Sequence, residues 1–507
     1  MFKVGRNIIP KSTVRTTILD KQVSLTVICP QGMIDTVQVD SAPKQGLHHR
    51  GVHVPFERVQ KLGQKEGRLR MTTTDKLNGY GPLAGVKIVE LCEWVAAPAA
   101  VRNLSEMGAT VIKTEPLHGD AQRTQGPGFG CEKNDLEDPT FDLNNTNKDL
   151  VSINLKNPEG MKFMKKLLAD ADVFVVNLRD KALKKLGLDW ETLHAEFPQL
   201  IWAQMRGYGE FGPEKDSPGY DAVCWAARGG VANVFREAGQ SPAIAPQAFG
   251  DNNAACMLAG GICAALFNRT RTGVGDKVVT NLYAAAIFAS DIGICAQQFG
   301  ADYPKSRKHV SNPFNNTYKT ADDKWIYICM PQYDLYYEMM MGLFGRDDQK
   351  KNPETCNLPA LKASGKQPEV IGWLEEAFAQ KPFDEWMEIF RENQVPAQKL
   401  FRFTDVLKDE EAYVNDSLRT VEYDEFGKHA LPMTPLRFES AGDPPVILAK
   451  PVGYHTAEIM KKYGYTQEQI DAIEADGGVG VYHGPEIEDR IFKSQRQEAG
   501  EAACTWE

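Results

Sequence analysis

One carboxylate, Asp251, stands where an apolar approach ending at Gly250 gives way to small and apolar residues at helical spacing. This pattern predicts a loop that enters a closely packed helix. An aspartate in such a position is commonly the N-cap, whose side chain accepts hydrogen bonds from the first helical amides. It can equally be a nucleophile without a partnering base, because a carboxylate with a pKa of about 4 is ionised at neutral pH. The local sequence favours the N-cap interpretation, so the evidence for a nucleophile must come from the rest of the chain.

Composition limits the partners of the chain. It has 507 residues and a formal net charge of −10, with acidic and basic residues interspersed, so an extended surface for nucleic acid or an anionic membrane is not expected. No apolar run reaches the ~18 residues of a membrane span, and no signal peptide is evident. The ten cysteines are scattered without a Cys-x-x-Cys pair, as in reduced cytosolic proteins. We predict a cytoplasmic protein that binds neither nucleic acid nor membrane and holds no metal.

From Gly81 onwards the chain predicts an α/β fold. Val86–Leu91 and Thr110–Glu115 have the pattern of buried strands, and Ala96–Met107 between them that of a small-residue helix. Together they form a βαβ unit, and further units of the same kind come after it, so we expect a parallel sheet. The turn from Glu90 to Ala96 contains no glycine. The dinucleotide-binding fingerprint is therefore absent, and a dinucleotide cofactor is disfavoured.

The first residues differ in composition from the rest of the chain. They are rich in Lys, Arg, Gln and Thr, and Val23–Cys29 is their only strand-like run. Met71 precedes three threonines and a clear domain start, so it could be the natural initiator, with the upstream part either disordered or a misassigned leader. The predicted segments are 1–78 for an N-terminal appendage, 79–300 for a large α/β domain, 301–435 for a smaller α+β domain, and 436–507 for a C-terminal segment.

Seven motifs in order give the chain a recognisable family pattern. They are Gly81-Pro-Leu-Ala-Gly-Val-Lys-Ile-Val-Glu90, Gly108-Ala-Thr-Val-Ile-Lys113, Asn147-Lys-Asp149 with Asn154-Leu-Lys-Asn-Pro-Glu-Gly160, Gly207-Tyr-Gly-Glu-Phe-Gly-Pro213, Gly250-Asp251, Gly273-Val-Gly-Asp-Lys277 and Gly453-Tyr-His-Thr456. The chain resembles the family III CoA-transferases over residues 81–470. The resemblance implies a Rossmann-like large domain that binds CoA and is completed by the C-terminal segment, a smaller domain, and two chains interlocked in a homodimer.

The resemblance also implies a reaction. The nucleophilic aspartate of the family falls on Asp251, which would carry CoA from an acyl-CoA to a carboxylic acid through an aspartyl-CoA thioester. CoA is then a co-substrate, and no permanently bound cofactor is implied. Gly250 is expected to let substrate approach the backbone, with amides near the helix start stabilising the oxyanion.

By position, the CoA contacts of the family fall on four short stretches and one lysine. They are Val95 and Ala96, then Asn154, Leu155 and Lys156, then Asn177, Leu178 and Arg179, then Lys185, and finally Pro218, Gly219 and Tyr220. Of these, Lys156, Arg179 and Lys185 are the cations expected to meet phosphates, the arginine through its bidentate fork. The alternative for each cation is an exposed, solvated charge.

Two positions discriminate within the family. The racemase branch has a histidine where this chain has Tyr220, and a phenol with a pKa of about 10 is a poor base at neutral pH, so racemisation is disfavoured. Val95 replaces the glutamine of formyl-CoA transferase and indicates a bulkier, more apolar acyl group. The run Asn312–Thr320 is most similar to the 2-hydroxyacid and aryl-lactate CoA-transferases. An acyl-CoA racemase and a non-catalytic acyl-CoA-binding paralogue remain the alternatives.

Overall fold

The computed structural model describes residues 13–19, 22–28, 34–40, 72–77 and 79–494. The chain divides into two compact units, Met1–Arg68 and Leu69–Glu507. In the first unit, three strands form an antiparallel meander in sequence order. They are β1 Thr13–Leu19, β2 Gln22–Ile28 and β3 Ile34–Asp40. The middle strand matches the predicted run, whereas β1 and β3 were not predicted, although both are rich in β-branched residues that favour strands.

The second unit is built on a seven-stranded sheet with the order β15-β6-β5-β4-β7-β8-β9. Its strands are β4 Lys87–Leu91, β5 Thr110–Glu115, β6 Asp149–Ile153, β7 Val173–Val176, β8 Ile201–Arg206, β9 Lys277–Asn281 and β15 Val479–Gly480. All neighbours are parallel except β15, which pairs antiparallel with β6. The predicted α/β class is therefore confirmed. Strand order reverses between β4 and β7, and such a switch point leaves a crevice at the carboxyl ends of the strands.

The second unit has helices on both faces of this sheet and others that lie away from it. They are α1 Thr73–Lys76, α2 Ala96–Glu106, α3 Pro139–Asn145, α4 Pro158–Ala169, α5 Asp180–Leu186, α6 Trp190–Glu196, α7 Val231–Val234, α8 Phe249–Thr272, α9 Leu282–Ala289, α10 Asp291–Gln298, α11 Tyr333–Leu343, α12 Leu358–Ser364, α13 Gln367–Phe378, α14 Phe383–Glu392, α15 Phe403–Val406, α16 Glu410–Val414, α17 Thr456–Lys462 and α18 Gln467–Ala475. A π-helix spans Ala222–Arg228, and short 3-10 turns span Ala121–Thr124, Gly126–Phe129 and Asp347–Gln349. Within the described ranges, no helix combines the length and apolar character needed to cross a bilayer.

Small side chains let α2 and α8 pack closely on one face of the sheet. Ala97 and Ala100 of α2 and Ala255 and Ala259 of α8 are buried in the same core cluster. The other face packs against α4 together with the C-terminal helices α17 and α18. The first of these contacts fixes the start of α8 above the switch point, which is where Asp251 lies.

The remaining strands are antiparallel. Strands β10 Asn315–Lys319, β11 Trp325–Cys329 and β12 Ala397–Lys399 form a small sheet, and β13 Leu418–Tyr423 pairs with β14 Gly427–Pro432. The predicted hairpin of β10 and β11 is confirmed, and Asp323 in its turn has a φ of 62°. Helices α11 to α14 cover this sheet with an aromatic core. The helix expected over 284–299 is in fact two helices that meet at Ser290.

Candidate active site

A cavity of about 1230 Å³ opens at the switch point of the large sheet. It exceeds the range of about 300–1000 Å³ that is usual for small-ligand sites. Its walls come from the turns after β4 and β7, the 207–222 segment and the first turn of α8. Nine of the residues expected at the site line it together. They are Val95, Ala96, Asn177, Leu178, Arg179, Pro218, Gly219, Tyr220 and Asp251.

Five other expected residues lie outside this lining: Gly250, which is described below, and Asn154, Leu155, Lys156 and Lys185. Asn154, Leu155 and Lys156 come directly after β6, which is separated from the switch point by β5. The Asn154 side chain donates a hydrogen bond to the carbonyl oxygen of Gly477 (2.9 Å), so it fastens the C-terminal segment to the sheet. Lys156 and Lys185 are exposed to solvent. In this structure the residues after β6 and Lys185 are not brought to Asp251.

Asp251 is not the N-cap of α8. The cap position belongs to Ala248, whose backbone is left-handed with φ 65°, and Asp251 is the third residue of the helix. The capping oxygen comes instead from Asp221, whose Oδ1 accepts a hydrogen bond from the Gly250 N–H (3.1 Å). The local sequence could not reveal this cap, because the residue that supplies it lies 29 positions before Gly250. Asp251 therefore keeps both carboxylate oxygens free of the capping role.

The environment of Asp251 disfavours its charge. The side chain is partly buried and lines the cavity. Burial, and next the nearby charge of Asp221, raise the pKa of Asp251 to about 7. Its position in the first turn of α8 acts the other way, since the positive end of the helix dipole favours an anion. Among residues 79–494, no cation forms an ion pair with Asp251. This differs from the expectation of an ordinary carboxylate with a pKa of about 4, because burial and Asp221 disfavour the ionised form that a nucleophile needs.

Gly250 is required by close packing. A Cβ at this position would lie 2.2 Å from Cγ of Trp225 and 2.3 Å from Oδ1 of Asp221. Trp225 belongs to the π-helix, a rare element that is frequent at functional sites. The space in front of Gly250 is thus filled by the protein, and its amide already has an acceptor. The sequence identified the glycine but not this reason for it.

Two aromatic rings contribute to the lining of the cavity. Trp94 has a φ of 69°, and its indole meets the ring of Tyr220 edge-on with centroids 5.4 Å apart. The backbone N–H of Trp94 donates to Oδ1 of Asp120 (3.0 Å), which is buried and ion-paired with Lys113 (2.9 Å). More than half of the Tyr220 side chain is exposed (55 %). The cavity therefore contains an aromatic surface in addition to the carboxylate of Asp251.

Sequence reasoning missed several residues of the cavity. Asp221 is the neighbour of Tyr220, the position that discriminates within the family, and this adjacency was the available signal. Lys215 and Trp94 also line the cavity, and nothing in their local sequence distinguished them.

The cations of the cavity differ in their pairing. Arg206 lines the cavity, but Asp180 holds its guanidinium at 2.9 and 3.0 Å. In contrast, Arg179 and Lys215 form no ion pair with any residue of the described ranges. Nor do those ranges contain a His, Cys, Asp and Glu cluster able to hold a metal ion.

Comparison with known proteins gives a consistent result. The profile of CoA-transferase family III matches residues 83–456. Cinnamoyl-CoA:phenyllactate CoA-transferase of Clostridium sporogenes is 38% identical, over 80% of this chain and 98% of its own length. (R)-2-hydroxy-4-methylpentanoate CoA-transferase of Clostridioides difficile is 37% identical, over 77% and 97%. The crystal structure of Rv3272 from M. tuberculosis is similar with a TM-score of 0.63 and 26% identity, over 75% of this chain and 99% of that one.

Proposed function

Because the chain belongs to CoA-transferase family III, we propose that it moves CoA from an acyl-CoA to a carboxylic acid through a covalent intermediate on Asp251. The observation that carries this proposal is the setting of Asp251. It is a partly buried carboxylate in the first turn of α8, it faces a large cavity at the switch point, and its capping role is taken by another residue. A carboxylate held in this way serves the chemistry rather than the helix.

The reaction depends on the charge of Asp251. A carboxylate oxygen attacks the thioester carbonyl, the C–S bond breaks, and an acyl-aspartyl anhydride and CoA thiolate form. The thiolate then attacks the aspartyl carbonyl, the anhydride C–O bond breaks, and the first acid leaves as its carboxylate. The remaining aspartyl-CoA thioester is neutral at Asp251. The second acid reverses these steps and leaves as the new thioester, so the energy of the thioester is conserved without ATP.

Two unpaired cations of the cavity suit the phosphates of CoA. Arg179 stands at the turn after β7 and Lys215 on the 207–222 segment, and both line the cavity. A guanidinium can grip a phosphate through two parallel N–H donors, while an ammonium acts as a point charge. Contacts of CoA with Lys156 and Lys185 stay predictions, because both residues lie outside the cavity. The oxyanion role of Gly250 also stays a prediction.

The acceptor is proposed to be a 2-hydroxy acid with an apolar side chain. The two clostridial relatives are named for acids of this kind, phenyllactate and 2-hydroxy-4-methylpentanoate. The walls of the cavity agree with the proposal, since Trp94, Val95, Ile244 and Met433 all line it. An apolar or aromatic side chain gains from burial against such a surface.

A racemase mechanism receives no support from the cavity. It would need a second proton-transfer group near Asp251 with a pKa close to neutrality. The residue at the discriminating position is Tyr220, and no histidine is found among the cavity-lining residues of the described chain. We therefore propose the transferase and not the racemase.

A homodimer is also proposed. Phe267, Phe288, Ile292 and Phe299, on or directly after α8 to α10, are between 66 and 87% exposed. Large apolar side chains exposed together in this way favour association with another surface. Their interlocking with a second chain and a cytoplasmic location stay predictions.

Asp251→Ala tests the proposed function. The wild-type protein and the variant are incubated with cinnamoyl-CoA and a panel of acids comprising 3-phenyllactate, 2-hydroxy-4-methylpentanoate and their counterparts without the hydroxyl. New thioesters are measured by mass. We expect the wild type to favour the hydroxy acids and the variant to lose at least about 10⁴-fold in rate, because the covalent path is removed.

The control is Asp216→Asn, which removes a carboxylate from an exposed position of the same cavity segment. It should exchange CoA at the wild-type rate. Hydroxylamine should release an acyl hydroxamate from the wild type with donor alone, and none from the Asp251 variant. Substantial exchange by Asp251→Ala would contradict the proposed function.

A further inference from the structure

Building on the proposed function, we propose that Asp221 is a positioning residue for the reaction. Its carboxylate takes over the capping of α8 from Asp251, and its negative charge favours the conversion of the Asp251 carboxylate into the neutral thioester. Asp221 itself is not expected to react. It would act entirely through the nucleophile.

The geometry gives Asp221 a fixed place. It immediately precedes the π-helix Ala222–Arg228, and its Oδ1 accepts the Gly250 N–H at 3.1 Å. The same oxygen would lie 2.3 Å from a Cβ on Gly250, so only glycine permits this approach. The backbone amides of Ala248 and Asp251 also favour its ionised form and counter the rise in pKa that burial causes for Asp221. The backbone N–H groups of this turn thus favour a negative charge on Asp221 next to Asp251.

The remaining titratable groups near this pair do not neutralise it. Cys224 of the π-helix is close enough to feel the charge of Asp251, and burial raises the pKa of its thiol, which keeps it uncharged. Arg228, at the end of the π-helix, lies over the rings of Tyr208 and Tyr283, 5.0 and 5.3 Å from their centroids. Its nearest acid is Glu214, at 3.7 Å. Among the described residues, no cation forms an ion pair with either of the two carboxylates at the start of α8.

This arrangement affects the reaction because charge leaves Asp251 during catalysis. Before reaction, the Asp251 anion is repelled by Asp221. After the thiolate has displaced the first acid, the negative charge departs with that acid and Asp251 is a neutral thioester. The repulsion is present in the reactant and absent in the intermediate. Asp221 should therefore favour formation of the intermediate. The same repulsion raises the pKa of Asp251, so a higher pH is needed to ionise it.

Asp221→Asn separates charge from hydrogen bonding, because the amide oxygen still accepts the Gly250 N–H. The measurement is kcat/KM for CoA exchange between pH 5 and 9. Activity is lost at low pH as Asp251 becomes protonated. We expect this loss to move about one pH unit lower in the variant, because the repelling charge is gone. We expect the rate at high pH to fall about tenfold, because the reactant is no longer destabilised.

Further variants keep the inference falsifiable. Asp221→Ser also keeps a capping oxygen without charge, so it should reproduce both effects if the asparagine variant folds poorly. Asp221→Glu keeps the charge and should retain the wild-type pH profile. Asp216→Asn removes a charge from the same segment and should change neither quantity. A uniform loss of rate in the neutral variants, without a shift of the pH profile, would overturn the inference and leave only a structural role.

The outcome is distinct from that of the proposed function. If Asp251→Ala is inactive and Asp221→Asn has the wild-type pH profile, the nucleophile stands and the role of Asp221 fails. If Asp251→Ala retains exchange, the proposed function fails, whatever Asp221 does.

Discussion

Two pairs of carboxylates, one buried and one partly buried, lie in the same α/β unit, and their surroundings differ. Glu90 and Asp120 are buried with two lysines: Lys113 is 3.0 Å from Glu90 and 2.9 Å from Asp120, and Lys148 is 2.7 Å from Glu90. We call these four residues the ionic cluster. Asp221 and Asp251 have no such partner in the described part of the chain. The difference separates charges that build the fold from charges that remain available for chemistry.

The protonation of the ionic cluster is set by its pairing. The two carboxylates raise the pKa of Lys113 far above its ordinary value, despite the opposing effect of burial. Burial, opposed by Glu90 and assisted by the charge of Lys113, lowers the pKa of Lys148 to about 8. The cluster also fixes the position of Trp94 in the cavity wall, because Asp120 accepts a hydrogen bond from the backbone N–H of Trp94. The paired charges of the ionic cluster thus support the part of the cavity that Trp94 lines.

Lys113→Met tests the role of the ionic cluster in the fold, and it has the largest expected effect on stability. Removing the lysine leaves Glu90 paired with Lys148 alone and Asp120 buried without an ion pair in the described residues. Breaking a buried pair in this way costs about 3–5 kcal/mol. The loss is measured as a change in unfolding free energy from urea or thermal denaturation. Lys162→Met is the control, since Lys162 is exposed in its pair with Glu159 (3.2 Å) and should change stability by less than about 1 kcal/mol. Equal effects of the two variants would refute the distinction.

The sequence predicted the scaffold of the site well, for a physical reason. Hydrophobic periodicity is local, so the βαβ units and the helix Pro158–Ala169 were predicted with nearly the observed bounds. Local patterns failed where tertiary contacts decide. The break between α9 and α10 at Ser290 and the π-helix were not predicted. The cap of α8 was missed because Asp221, which supplies it, lies 29 positions before Gly250.

The candidate site also has parts that were predicted from the sequence and parts that were not. The turns after β4 and β7 were predicted because α/β folds bind ligands at strand ends, and both turns do line the cavity. The turn after β6 obeys the same rule but lies away from the switch point, which is a property of strand order and not of any single strand. The ionic cluster was not predicted, because the pairing of Lys113 with Glu90 and Asp120 requires β4, β5 and the turn after β5 to be assembled.

Asp251→Asn tests the pair of carboxylates that has no cation partner in the described residues. Its expected effect on the unfolding free energy is smaller than that of Lys113→Met and has the opposite sign. The pKa of Asp251 is raised to about 7 from an ordinary value of 3.8, so the folded state favours the protonated form. Its contribution to stability is complete below pH 4 and is lost as the pH rises through 7. The neutral amide escapes this loss. We expect Asp251→Asn to be more stable than the wild type by about 2 kcal/mol at pH 8, allowing for partial hydration of the side chain.

The gain should shrink steadily as the pH falls towards 5, where the wild-type carboxyl becomes protonated. Unfolding midpoints of the two proteins between pH 5 and 8 provide the measurement. Asp216→Asn should track the wild type throughout. A variant that is destabilised at every pH would show that Asp251 has a structural partner after all, and the contrast with the ionic cluster would then disappear.

Arg179→Gln applies the same comparison to cations and has the smallest expected effect. Arg206 is held by Asp180 and serves the fold, whereas Arg179 lines the cavity without an ion-pair partner in the described residues. An unpaired cation can bind a phosphate without first giving up a protein contact, so its loss should weaken ground-state and transition-state binding equally. We expect KM for the acyl-CoA to rise about tenfold while kcat is unchanged. Lys181→Gln, which removes an exposed charge outside the cavity lining, should leave both constants at their wild-type values. An unchanged KM in the arginine variant would mean that Arg179 does not bind the acyl-CoA, although it has no ion-pair partner in the described residues. The contrast between paired and unpaired charges would then hold for the carboxylates only.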